Sequence, residues 1–156
     1  MNVIGTSNIA IYKNFNFQQA FRFCLSYSRK TEFRKLCERL RKHFDDIVNK
    51  SNQQMNSIDF SSPETQQLNM ETRLAQLDSA IQLELWQEAY KAIEDIHLLM
   101  NQSKKSQTRM MAYYYQKLSL VFWKAGNLLF HAATSLKYYL LCKDMKKNVS
   151  QEELQK

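Results

Sequence analysis

Glycine and proline are almost missing from this chain of 156 residues: Gly5 and Gly126 are the only glycines and Pro63 the only proline. Two isolated glycines cannot build a phosphate-cradling loop, a dinucleotide fingerprint or a nucleophile elbow, each of which needs several positions that only glycine fits. Nucleotide-dependent chemistry therefore drops out. A sheet protein with many tight turns needs more of both residues, whereas a helical chain with few breaks does not, so an all-α fold is expected. Cysteine is also scarce. Cys24, Cys37 and Cys142 form an odd set without CxxC spacing, so neither a zinc site nor a disulfide framework is expected and a reducing compartment fits. No basic stretch leads into an apolar run at the start, and no run of 18 apolar residues occurs anywhere. The reading is a soluble cytoplasmic protein with no cofactor, no metal and no membrane partner.

What is present is charge in blocks. The net charge is +7, but residues 1–50 carry ten Lys/Arg against four Asp/Glu, residues 51–100 two against eight, and residues 101–156 ten against three. Such a basic, acidic, basic order can place a chain between unlike neighbours.

Helical spacing covers most of the rest. Phe17, Ala20, Phe21, Cys24 and Leu25 recur at three and four residue intervals, giving a helix that ends near Arg29. After Thr31, an expected N-cap, Phe33, Leu36, Cys37, Leu40, Phe44 and Ile47 form a second stripe. Opposite it Arg34, Lys35, Arg39, Arg41 and Lys42 form one basic face, either an ordinary solvated face or a contact for RNA phosphate or an acidic partner. Residues 49–62 read as a loop. Ser62-Pro63-Glu64 then opens a long helix carrying Met70, Leu74, Leu77 and Ile81. After a turn near Leu83 to Leu85 comes a helix presenting Trp86, Ala89, Tyr90, Ile93, His97 and Met100. Beyond a polar break that includes Lys104 and Lys105, Met111, Tyr114, Tyr115, Leu118, Phe122 and Ala125 share a face up to Gly126, which suits the left-handed end of a helix. Leu128, Ala132, Leu136, Tyr139 and Leu140 line the returning helix.

Two hairpins in this series look alike. Leu85, Ala89 and Ile93 align with Leu128, Ala132 and Leu136, about 43 residues on, and a period near 40 marks stacked antiparallel helices. The expected architecture is a tetratricopeptide-like right-handed solenoid, packed through Trp86, Ala89, Tyr90, Ile93, Phe122, Gly126 and Ala132. Residues 1–15 read as an atypical, poorly ordered segment, residues 16–148 as the repeat domain, and residues 149–156 as the start of a further helix opened by the capping box Ser150 and Glu153.

No catalytic constellation stands out. His43, His97 and His131 lie in regular helical segments without an organised partner, and His97 reads as a packed core histidine. Cys37 and His43 are six residues apart, which is not the spacing of a helical metal pair. Glu84, Glu88, Glu94 and Asp95 read as a solvated face. Tyr113, Tyr114, Tyr115, Tyr138 and Tyr139 could stack on RNA bases, but aromatics on helical stripes usually belong to a core, and Tyr113 is the best candidate for exposure.

The stretches RKTEFRKLC (29–37), ETRLAQLDSAI (71–81), LWQEAYKAIEDIH (85–97) and VFWKAGNLLFHA (121–132) resemble eukaryotic translation initiation factor 3, and within it the component designated A, with the likeness running from about Gln18 to the end. The resemblance implies a scaffold, not an enzyme, in a large cytoplasmic assembly that binds the small ribosomal subunit and helps recruit initiator tRNA and mRNA. It also implies helical repeats leading into a PCI domain, a winged helix and a charged tail, with other initiation factor 3 subunits as partners. This chain matches part of the repeat region only. It therefore reads as a fragment or short form in which pairing with the component designated C, a PCI-to-PCI contact, is in doubt, and whose exposed apolar end favours self-association. The alternatives are an RNA-binding module, with mRNA or rRNA on the basic face, and a truncated piece without function.

Overall fold

The helices of this chain are set by its turns. The computed structural model describes residues 3–51, 63–102 and 108–154, with side chains for 15–43, 64–101 and 108–146. Among the described residues the elements are all helices, as expected: α1 (Val3–Ser26), α2 (Lys30–Ser51), α3 (Pro63–Gln82), α4 (Trp86–Gln102), α5 (Thr108–Lys124) and α6 (Leu128–Leu154).

Three hairpin turns share one hydrogen-bond pattern. Arg29 N donates to the Cys24 carbonyl, Leu85 N to Ala80 and Asn127 N to Phe122, at 2.8 to 3.0 Å. One residue earlier, Ser28, Glu84 and Gly126 donate to the carbonyls of Leu25, Ile81 and Trp123. These paired bonds close the open carbonyls of a helix end and need a left-handed residue between them. Ser28 (φ 51°), Glu84 (φ 58°) and Gly126 (φ 71°) take that role. Only Gly126 does so without cost; a side chain there costs about 1 kcal/mol.

The turns also correct the repeat register. Leu85 and Asn127 occupy equivalent positions, so the two hairpins are offset by 42 residues and not by 43. One residue is 100° of rotation on a helix. Ala89 thus corresponds to His131 and Ile93 to Ser135, and the positions aligned from sequence, Ala132 and Leu136, lie on the outside of α6, both exposed.

The chain divides into two compact units, Met1–Ser103 and Lys104–Lys156. In the first, α1 packs against α2 and α3, and α3 against α4. Phe21 and Phe33 meet at 5.4 Å between ring centroids and, with Leu77 and Ile96, are fully buried, each contributing about 2 kcal/mol by removal from water. The stripe Met70, Leu74, Leu77 and Ile81 is buried as its spacing indicates. Thr72, Arg73, Gln76, Ser79 and Ala80 are buried too, because α3 lies between two other helices. In the second unit α5 packs against α6, burying Ala112, Tyr114, Leu118, Ser119 and Val121.

Several boundaries differ from the sequence reading. Helix α1 begins at Val3, although residues 1–15 show no apolar period; period reports a buried face, not helicity itself. Thr31 is inside α2, whose first bond is taken by the Arg29 carbonyl. Helix α2 runs to Ser51, so the expected loop starts later, and residues 52–62 lie outside the described residues. Helix α6 is continuous through Ser150 to Leu154, so no new helix opens at 149.

Candidate interaction surfaces

The polar residues of the first unit converge on Asp95. Its Oδ2 accepts from Arg41 Nη2 and forms an ion pair with Arg73 Nη1, both at 3.1 Å, linking α2, α3 and α4. Arg73 is 5% exposed at its side chain and also donates to Gln76 Oε1 at 3.0 Å. Burial pushes the Cys37 thiol up to about 12, a shift that a hydrogen bond from the Gln76 side chain partly opposes. A buried guanidinium is tolerated only with such partners, so this node holds helices in register.

Sequence reasoning missed this node. Spacing groups Glu88 and Asp95 with a solvated face, yet Glu88 is buried, accepting from Lys91 at 3.2 Å, and Asp95 is one-fifth exposed. A signal was present. The acidic segment 51–100 contains only two basic residues, Arg73 and Lys91, and both pair with its acids.

The basic face of α2 is smaller than its wheel suggests. Arg34, Lys35, Arg39 and Lys42 are exposed, while Arg41, at the border of the buried stripe, is half-buried and engaged by Asp95. Lys104 and Lys105 lie outside the described residues. Glu38 is exposed among the four remaining cations.

In the second unit the α5/α6 contact includes a polar cluster. Ser119 Oγ lies 3.0 Å from His131 Nδ1 and 2.7 Å from Ser135 Oγ, and Nδ1 lies 2.9 Å from the Ser119 carbonyl oxygen. A carbonyl only accepts, so Nδ1 carries the proton and donates to it. A serine and histidine so wired do not form a nucleophile and base, since Nδ1 cannot also take the serine proton. The Trp123 ring sits 5.0 Å from the imidazole, and Thr134 Oγ1 bonds back to the Phe130 carbonyl at 2.7 Å. Among the described residues no cluster of His, Cys, Asp and Glu could hold a metal ion.

The expected packing residues divide. Ala89 and Ile93 are buried with Glu88, Ala92 and Ile96, Trp86 and Phe122 are half-buried, and Phe122 stacks on Phe130 at 5.2 Å. Gly126 takes its left-handed role. Tyr90, Ala132 and His97 are exposed, each turned off the buried stripe of its helix. Tyr114 is buried and Tyr113 exposed, as expected. On α6, Leu128, Leu136, Tyr139 and Leu140 are exposed, and the inner face is His131, Thr134, Ser135 and Tyr138. No described helix is long and apolar enough to cross a membrane.

Helical hairpins with a shared turn define a helical-repeat module. The family model described as eIF3a, PCI domain, TPR-like region matches residues 7–156, and the chain belongs to that family. The match begins before Gln18, earlier than the quoted motifs indicate. Proteins bearing the name of this eukaryotic translation initiation factor 3 component, eIF3a, are 66% identical in Culex quinquefasciatus, 56% in Mus musculus and 55% in Nematostella vectensis, each over 140 residues covering 89% of this chain. The chain spans only 12%, 10% and 15% of those relatives.

Proposed function

We propose that this chain is a scaffold segment of eukaryotic translation initiation factor 3, acting in the cytoplasm among the other subunits. In this reading it supports assembly of the preinitiation complex and mRNA recruitment on the small ribosomal subunit. The observation that carries the reading is identity of 55 to 66% to eIF3a relatives across 140 residues. The physical features agree with it: Asp95 and its two arginines hold three helices in register, and α6 leaves several large apolar side chains exposed, suited to contacts between proteins. No catalytic role is assigned to any residue. The tagged chain, expressed in cells and recovered gently, is expected to bring down other subunits of the factor and small ribosomal subunit proteins on immunoblots. Recovery of neither sinks the proposal.

Direct RNA contact is less well supported, because Arg41 is engaged within the fold. For that reading Arg34, Lys35, Arg39 and Lys42 remain. Titration with a fluorescent single-stranded RNA would show affinity falling steeply with salt, and weakening on Arg34→Glu with Lys35→Glu, if they bind phosphate.

A further inference from the structure

Residues 96–143 contain seven Lys/Arg and no Asp or Glu, so all fifteen acids of the chain lie outside this stretch. In the fold it builds α5 and the first half of α6, and part of its charge is gathered in one row. Arg109, Tyr113, Lys117, Leu120 and Lys124 follow one another at three and four residue intervals along α5, within about 80° of its circumference and over about 22 Å. Arg109, Tyr113, Leu120 and Lys124 are exposed and Lys117 is half-buried, its ammonium 5.1 Å from the centre of the Tyr113 ring. Trp123, 55% exposed, flanks the row at its Lys124 end. The row is unlike the apolar face through which helical repeats stack. A neighbouring helix laid over it would take cations out of water where this stretch of the hairpin offers no carboxylate to pair them.

We propose that the row is a contact for single-stranded RNA, with Arg109 and Lys124 on phosphates and Tyr113 stacked on a base. Protein partners present both signs of charge and are met by both, which fixes register. A surface without carboxylates suits a partner that carries negative charge alone, as a phosphodiester backbone does. Cations interleaved with an aromatic ring are the elements of sequence-tolerant binding to unpaired strands. An anionic bilayer is also uniformly negative, but a helix lying in its interface uses an apolar face, and that of α5, with Tyr114, Leu118 and Val121, is buried. The inference deepens the RNA reading above by moving the contact from α2, where Glu38 is exposed among the cations, to α5. The choice of RNA over DNA rests on the scaffold reading.

Fluorescence anisotropy of a labelled oligouridine titrated with the full chain over a salt series tests it. Arg109→Glu with Lys124→Glu is expected to weaken binding at least about tenfold and to lower the slope of log affinity against log salt by about 1.4, two phosphate contacts being lost. Arg34→Glu with Lys35→Glu changes the net charge equally and is expected to weaken binding less than about threefold, since charges away from the contact are screened. Tyr113→Ala is expected to weaken binding about tenfold with the slope unchanged, the loss of one stacked base. Circular dichroism checks that each variant is folded, and Arg109→Gln with Lys124→Gln repeats the test with a milder change. Recovery of other subunits in the pull-down above is expected to be unaffected by the α5 pair, so the scaffold reading and this one fail separately. Absence of RNA binding, equal losses from the α2 and α5 pairs, a loss confined to the α2 pair, or binding indifferent to Tyr113→Ala would overturn the proposal. So would capture of the chain by phosphatidylserine vesicles but not by RNA.

Discussion

The α3/α4 and α5/α6 hairpins turn through the same hydrogen bonds, yet their second helices use their faces in opposite ways. Helix α4 buries Ala89, Ala92, Ile93 and Ile96 and shows Gln87, Lys91, Glu94 and His97 to water. Helix α6 turns His131, Thr134 and Ser135 toward α5 and shows Leu128, Leu129, Leu136 and Tyr139. The first hairpin is stabilised by what it buries within its own unit, and the second leaves much of the apolar area of α6 exposed. A shared turn thus fixes the path of the chain without fixing which surface becomes core.

The contrast can be broken most strongly at Asp95. Asp95→Ala removes the carboxylate that Arg73 and Arg41 share, and about 3 kcal/mol of stability should be lost in urea unfolding, since a buried charge is left less compensated. Arg41→Ala should cost at most about 1 kcal/mol, as that side chain is 40% exposed and screened by water. If the two variants are equal, the node is not a buried one.

Large-to-small substitution at contrasting depth sharpens the point. Ile96→Ala, at a fully buried site, should destabilise the chain by about 3 kcal/mol. Leu136→Ala should change the stability of the monomer by no more than about 0.5 kcal/mol. A large loss at Leu136, measured at concentrations where the chain is monomeric, would mean that α6 is oriented the other way round.

Alkaline pH separates the units by a smaller margin. Burial raises Cys37 from 9.0 to about 12 and Tyr114 from 10.0 to about 12, so the folded state favours both neutral forms. Their contribution is complete below the unfolded values and is lost as pH rises toward 12. Stability should therefore decline from about pH 9 through Cys37 in the first unit and from about pH 10 through Tyr114 in the second. Cys37→Ala should reduce the earlier part of the decline in urea midpoints measured at closely spaced pH values, the remainder coming from Cys24, whose thiol is also pushed up by burial.

The smallest effects belong to the turns. Nothing lies within 4 Å of a Cβ built on Gly126, so Gly126→Ala should cost only the backbone strain of about 1 kcal/mol. Glu84→Gly should gain a few tenths, the relief of strain being partly offset by added freedom in the unfolded chain. Opposite signs in thermal melts of the two variants would confirm that the turns are equivalent; equal signs would separate them.

Much of the fold was legible in the sequence. Scarce glycine and proline, helical spacing in α1, α2 and α3, the left-handed role of Gly126 and the proline opening α3 each follow from local chemistry. The family was legible because its motifs run in order along the chain. The surfaces were read less well. Spacing puts Arg41 on an open face because it does not show that Asp95, 54 residues later, comes within 3.1 Å.

Sequence by itself determined that this protein is helical, where its hairpins turn and which family it belongs to, because these depend on backbone preferences and on the order of residues. Only the tertiary structure decided which face of α6 is core. That helix has apolar residues on both sides, so its period names two candidate stripes, and an alignment shifted by one residue rotates the choice by 100°. The choice went to the side where Ser119, His131 and Ser135 satisfy one another's hydrogen bonds across α5 and α6, leaving the leucines outside.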